Sequence, residues 1–147
     1  MSLNPQLQPA VAAALNRWHA MVARGDLSEL GQLLHPDAVF RSPMAHKPYA
    51  SAQAVALILK TVAVVFSNFK YHRQLASEDG LSVVLEFSAI VGDKALKGID
   101  LIQFDADGKI VDFEVMVRPM SGLQALGAEM ARHLAAILPA YQAAQSK

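Results

Sequence analysis

The segment Lys97–Asp105 alternates in polarity, which puts a single aspartate, Asp100, on the same side as Ile102 and Phe104. A polar group on such a face costs about 2–7 kcal/mol unless it is hydrogen-bonded, and a charge costs more. An acid placed there is either a bonded structural peg or the working group of a pocket. In a pocket, desolvation raises its pKa toward neutrality, where it can donate or accept a proton. Asp100 is therefore the first candidate catalytic residue, as a general acid, an oxyanion donor or a ligand anchor. Acid–base chemistry also asks for a base titrating near neutral pH, which histidine supplies. Of five histidines, His46 and His72 are the candidates. His46 lies in a loop that could close over a pocket mouth, and His72 lies in a strand of undetermined facing. His35 belongs to a helix-ending His-Pro-Asp turn. His19 follows Trp18 on a helix and turns about 100° away from it, toward solvent. His133 lies outside the inward stripe of the last helix.

Other chemistries find no support. The chain has no cysteine, which excludes disulfides, thiolate metal ligands and cysteine nucleophiles. No histidine pair has zincin spacing and no glycine-rich phosphate loop is present, so neither a metal nor a cofactor is expected. Thirteen basic residues balance thirteen acidic ones, which leaves no electrostatic footprint for nucleic acid or an anionic membrane. The longest apolar run, Val62–Phe66, is far too short to span a bilayer. With no signal peptide evident, the expectation is a cytoplasmic protein. The 147 residues, 53% hydrophobic, suit one domain with one core.

The elements that must position Asp100 follow from periodicity. Val11, Leu15, Trp18 and Val22 predict an amphipathic helix from about Pro5 to Arg24, ended by Gly25. Asp26, with Glu29 as capping partner, predicts a second short helix with Leu27, Leu30, Leu33 and Leu34 inward, stopped by Pro36. A short strand, Asp37–Ser42, and a loop follow. Ser51 caps a third helix with Val55, Ile58, Leu59, Val62 and Phe66 inward. The period then changes to two. Strands are predicted at about Asn68–Ser77, Leu81–Val91, Lys94–Asp105 and Lys109–Arg118, with turns at Gly92-Asp93 and Asp105–Gly108. A last helix, Gly122–Leu138, carries Leu123, Leu126, Met130, Leu134 and Ile137 on one stripe. Helices first and an antiparallel meander afterwards predict an α+β fold. The domain is expected to cover residues 1–138, with 139–147 expected as a flexible tail.

Tight turns fix the register. Pairing Val91 with Lys94 puts Leu85 opposite Asp100 and Val83 opposite Ile102. Pairing Phe104 with Lys109 puts Phe113 opposite Asp100 and Val111 opposite Ile102. Opposed side chains share a face. One face then carries Val83, Leu85, Phe87, Ala89, Ile102, Phe104, Val111, Phe113, Val115 and Val117, with Asp100 as its single charge. The predicted pocket is lined by Trp18, Phe40, Ser42, Val55, Leu59, Val62, Leu85, Phe87, Asp100, Ile102, Phe113 and Val115.

Several segments carry a resemblance in their order and spacing: Trp18 through Asp26, Leu33–Phe40, Ser42-Pro43, Gly98–Asp100 and Gly108–Ile110. Over roughly residues 8–120 the chain resembles the nuclear transport factor 2-like superfamily, and within it the SnoaL-like branch that includes polyketide cyclases. It is also similar to the ketosteroid isomerases. The resemblance implies a cone-shaped α+β barrel with three N-terminal helices packed on a curved antiparallel sheet, the C-terminal helix being an addition. The isomerases use an aspartate base with a tyrosine and a protonated aspartate as oxyanion donors. Asp100 falls on the protonated aspartate. Trp18 falls where the tyrosine would be, and its indole donates a hydrogen bond without transferring a proton. Ser42 falls where the base would be, and a hydroxyl is no general base. The cyclases rely on pocket His and Asp residues, where this chain offers Phe113 and Val115.

Three functions stay open: an isomerase, cyclase or epoxide-opening enzyme on a small apolar molecule; a non-catalytic ligand-binding protein; and a dimerisation module of the same fold. A homodimer is expected, because the second sheet face mixes Val84, Ile90, Ile99, Leu101 and Met116 with charges. Family members commonly pair through this face, and the last helix should cover it or widen the interface. Asp100 should titrate well above a free aspartate, since Leu85, Ile102 and Phe113 cannot stabilise its charge.

Overall fold

A computed structural model of the chain describes residues 6–135. It is an α+β fold in which helices fill the inner face of a curved, six-stranded mixed sheet. Helix α1 runs Pro9–Arg24, with Pro9 in the first turn, where a missing N–H costs nothing. It ends on Gly25 at φ 68°, a left-handed conformation that glycine adopts without strain. Helix α2 is Ala52–Val65, capped by the Ser51 hydroxyl, which accepts from Ala54 N at 3.2 Å. Strands β1 (Leu34–Arg41), β2 (Tyr49–Ala50), β3 (Ser67–Ala76), β4 (Ser82–Val91), β5 (Lys94–Phe104) and β6 (Ile110–Arg118) follow the order β2-β1-β6-β5-β4-β3. Helix α3 is Met120–Leu134. Ile137, Leu138, the segment 139–147 and Pro5 lie outside the described residues.

The expected second helix is a single 3-10 turn, Leu30–Leu33. Asp26 Oδ1 accepts from Ser28 N and closes a local turn, and Glu29 lies 3.8 Å from Arg17. The residue before a proline is pushed out of the helical region, so the chain is extended from Leu34 and too little length remains for an α-helix. Leu27, Leu30, Leu33 and Leu34 are nevertheless buried. The first strand accordingly begins at Leu34 and contains Pro36. It pairs in parallel with β6 and antiparallel with β2, which makes the sheet mixed.

Between β4 and β5 the register is the one the tight turn dictates, with Val91 on Lys94, Leu85 on Asp100 and Val83 on Ile102. Between β5 and β6 it differs from expectation. Asp105 pairs with Lys109, and Gly108 at φ 83° completes a three-residue loop. Phe104 therefore meets Ile110, and an irregularity follows before Gln103 meets Asp112. Asp100 faces Val115, not Phe113, and Ile102 faces Phe113, not Val111. Ile110 is fully buried while Val111 is not. The slip is two residues beyond this point, so the inward facing of Phe113 and Val115 is kept.

Helix α3 lies on the inner side of the sheet. Its Leu126 packs with Phe87, Ala89, Val91 and Leu96, and Gly122 approaches Leu96 so closely that a Cβ would stand 2.7 Å from its Cβ. The apolar stripe finds partners on the inner face, so α3 does not cover the outer one. Val84, Ile90, Ile99 and Leu101 are half-buried there, Leu75 is 58% exposed and Met116 45%. The same face carries an ion-paired cluster in which Glu86 meets Arg73 at 2.8 Å and Lys97 at 3.1 Å. Those two cations hold the Glu86 carboxyl down at about 2.

Candidate active site

A cavity of about 1130 Å³ opens between α1, α2, α3 and the inner face of the sheet. That volume suits a ligand of drug-like size or somewhat larger. Trp18, Phe40, Ser42, Leu59, Val62, Asp100, Phe113 and Val115 all line it. Val55, Leu85, Phe87 and Ile102 are packed in the core behind the wall and do not border it. Phe87 lies behind Phe66 and Phe69, tilted against the first at 5.6 Å and stacked on the second at 5.1 Å. Among the described residues, the wall holds no lysine or arginine and Asp100 is its single carboxylate.

Asp100 is 6% exposed and belongs to a chain of hydrogen bonds. Trp18 Nε1 donates to the Tyr71 hydroxyl at 3.0 Å, and Tyr71 donates to Asp100 Oδ2 at 2.5 Å. The tryptophan thus reaches the aspartate through a tyrosine that sequence reasoning missed. Its signal was present in the alternation of β3, where Phe69 and Tyr71 share a face. Tyr71 lies opposite Phe87 and hence inward, but an irregularity between Tyr71 and Gln74 breaks the alternation beyond it. Asp100 Oδ1 has no hydrogen-bond partner among the described residues and is not sealed from the cavity.

Burial pushes the Asp100 carboxyl up to about 7, against the opposing pull of the Tyr71 hydrogen bond. Burial, and then the neighbouring Asp100 charge, push the Tyr71 phenol well above its ordinary range. Near neutral pH, Asp100 is thus present in both protonation states while Tyr71 stays a donor. The arrangement can give a proton to a ligand oxygen from Oδ1 while Oδ2 is held.

The histidines fall differently from expectation. His72 points to the outer face, 2.7 Å from Ser88 Oγ. His46 is exposed in the loop after Ser42 and does not border the cavity. His19 does border it, half-buried with its ring edge-on to Tyr71 at 5.3 Å. Helical spacing separates His19 from Trp18, but both reach Tyr71 of β3, Trp18 at the hydroxyl and His19 at the ring. Ser42 Oγ accepts from Met44 N at 3.0 Å.

The sequence pattern of the SnoaL-like domain matches residues 15–113. The chain belongs to the SnoaL-like family. It is similar to the crystal structure of a steroid delta-isomerase from Pseudomonas aeruginosa, with 69% identity and a TM-score of 0.90 over 94% of this chain and 99% of that one. It is also similar to an uncharacterised protein with a cystatin-like fold from Silicibacter pomeroyi DSS-3, at 32% identity and a TM-score of 0.82 over 94% of both chains. SalBIII, an epoxide hydrolase/cyclase-like enzyme in pyran ring formation, shares the fold at 16% identity and a TM-score of 0.61, over 75% of this chain and 91% of that one. No curated protein matches the sequence. Helix α3 closes one side of the cavity with Leu126, Met130 and Leu134. No helix among the described residues is long and apolar enough to cross a membrane.

Proposed function

We propose that this SnoaL-like protein is a cytoplasmic enzyme of the isomerase or cyclase kind. Its substrate is a small apolar molecule bearing a carbonyl, and Asp100 donates to the carbonyl oxygen. The observation that carries the reading is the Tyr71–Asp100 pair on an otherwise apolar wall, with one carboxyl oxygen held and the other open to the cavity. A neutral Asp100 hydrogen-bonds to the substrate oxygen. As negative charge develops there, the bond strengthens, and in a desolvated site such donors supply a large part of the rate. The relative from Pseudomonas aeruginosa makes an unsaturated steroid ketone the first substrate to test. Its isomerisation moves a proton between two carbons and brings the double bond into conjugation with the carbonyl.

The test mixes the purified chain with a β,γ-unsaturated steroid ketone and follows the ultraviolet absorbance of the conjugated enone. Asp100→Asn is expected to lower kcat by about 10²- to 10³-fold, as for loss of one oxyanion donor. Turnover unaffected by that substitution sinks the reading. A second reading, ligand binding without turnover, draws support from Ser42, a hydroxyl where the isomerases carry a base, and from the absence of a second carboxylate among the described residues of the wall. Quenching of Trp18, the single tryptophan, by the ketone without any enone formation favours it.

A homodimer formed through the outer sheet face is part of the same proposal. Its support is the apolar character of that face, which α3 leaves uncovered.

A further inference from the structure

The isomerase-type reading leaves the site with an acid and no assigned base, and the geometry points to His19 as the group that takes the substrate's proton. This inference rests on the reading of the cavity as a carbonyl-directed site.

His19 and Trp18 are consecutive on α1 and both reach Tyr71. Trp18 bonds its hydroxyl, and His19 meets its ring edge-on at 5.3 Å and 87°. The imidazole is therefore beside the Tyr71–Asp100 pair and on the cavity wall. Its orientation is held from outside by Gln74, whose Oε1 is 2.9 Å from Nε2. A carbonyl oxygen only accepts, so Nε2 carries the proton and Nδ1 keeps the lone pair. Nδ1 has no partner among the described residues. The irregularity in β3 between Tyr71 and Gln74 brings Gln74 opposite Leu85, an inward position, and so to His19. The other histidines lack this setting: His35 Nδ1 accepts from Asp37 N, His72 bonds Ser88 on the far face and His133 lies by Glu129.

The titratable groups that share the described wall with His19 are Tyr71 of β3, Asp100 of β5 and Tyr49 of β2; α2, α3 and β6 contribute none. The step balances with these residues alone. Nδ1 takes a proton from the carbon beside the carbonyl. The C–H electrons form the enol double bond, and the carbonyl π electrons pass to the oxygen, which takes the proton of Asp100 Oδ1. In return, the imidazolium gives its proton to the far carbon of the dienol and the Asp100 carboxylate recovers the enol proton. The double bond has moved and both residues are restored.

The experiment uses a saturated steroid ketone in heavy water, because α-carbon exchange needs the base and the donor but no double bond. Deuterium uptake is followed by mass spectrometry and binding by Trp18 fluorescence. His19→Gln is expected to slow exchange by about 10²-fold or more. The ketone's Kd should stay within about 3-fold, as expected for a group spent on proton transfer more than on binding. The fall of the wild-type rate at acid pH should disappear. His19→Asn is read the same way if the Gln variant does not fold. Gln74→Leu, which keeps the imidazole and frees its orientation, should slow exchange to a smaller degree. Exchange that survives in the His19 variants with an unaltered pH profile, but is lost in Asp100→Asn, overturns the role of His19 and leaves the reading of the site standing. A ketone that does not bind the wild-type chain overturns both.

Discussion

Tyr71 Oη stands 2.5 Å from Asp100 Oδ2 across an intervening strand, so a phenol on the edge strand β3 clamps a carboxyl on β5. The bridge passes over β4, where Phe87 lies opposite Tyr71 and Leu85 opposite Asp100. Two effects compete at the carboxyl. The hydrogen bond stabilises the anion, and burial among Leu85, Ile102 and Val115 destabilises it. Burial wins, and the acid is held at about 7.

That outcome fixes a pH dependence of stability. The folded carboxyl binds its proton more tightly than the unfolded one, so the folded state holds more protons between about 4 and 7. Stability therefore falls as pH rises through that window and levels off above it. For a shift from 3.8 to about 7, the loss attributable to this group is roughly 4 kcal/mol. Asp100→Asn keeps an acceptor for Tyr71 and never ionises. It should be at least as stable as the parent at pH 8, with this part of the pH dependence gone. Chemical denaturation at pH 5 and pH 8 checks it. A variant strongly destabilised at both values would identify Asp100 as an ionised structural peg.

Tyr71→Phe removes the one interaction that favours the Asp100 anion and leaves Trp18 Nε1 without its acceptor. The Asp100 pKa should rise above its present value of about 7. An unpaired buried donor costs about 1–3 kcal/mol at any pH. The further rise adds a cost that appears only above neutrality, where Asp100 must ionise without help. The stability gap between the parent and the Phe variant should therefore widen from pH 5 to pH 8. A gap that narrows over that range would show that Tyr71 favours the neutral acid.

The sheet and Asp100 were legible because period-two alternation and the two-residue turn at Gly92-Asp93 are local signals. The second turn was misread because Asp105 Oδ1 accepts from both Asp107 N and Lys109 N, and a three-residue loop shifts every pair beyond it. Tyr71 and His19 escaped for a different reason. The alternation that turns Tyr71 inward is broken just beyond it in β3, His19 has no local mark, and the roles of both depend on contacts between residues more than 50 positions apart. Val55, Leu85, Phe87 and Ile102 show the converse limit. An inward facing is readable from the pattern, but whether an inward residue borders a cavity or lies behind it depends on packing.

The outer face gives a test of assembly. Ile99 lies between Glu86 on β4 and Met116 on β6. Ile99→Glu places a second carboxylate next to Glu86, on the solvent-facing side of a monomer. The fold should survive, whereas a dimer formed through this face would bury an unpaired charge at a cost of about 3–5 kcal/mol. The dissociation constant should rise by roughly 10²-fold or more. Light scattering at micromolar concentration should give a dimer for the parent and a monomer for the variant. A parent that scatters as a monomer removes the basis for the proposed interface.

Gly98 offers a last test, of how the core behind the wall shapes the cavity. It faces Phe87 across β4–β5. A Cβ at Gly98 would stand 2.6 Å from Phe87 Cζ and 2.4 Å from the backbone oxygen of Met116. The ring packs with Leu126, Ala89 and Leu96 in its own cluster and against Phe66 and Phe69 on the cavity wall, and the expected shift is toward that wall. Gly98→Ala should therefore cost about 1–3 kcal/mol, the usual range for overpacking. It should also weaken binding of a bulky apolar ketone more than that of a small one, because the displaced aromatic pair narrows the cavity. Denaturation curves and Trp18 quenching by ketones of graded size check the two effects separately. A stability loss with no size dependence in binding would mean that β6 yields at Met116 and the ring stays in place.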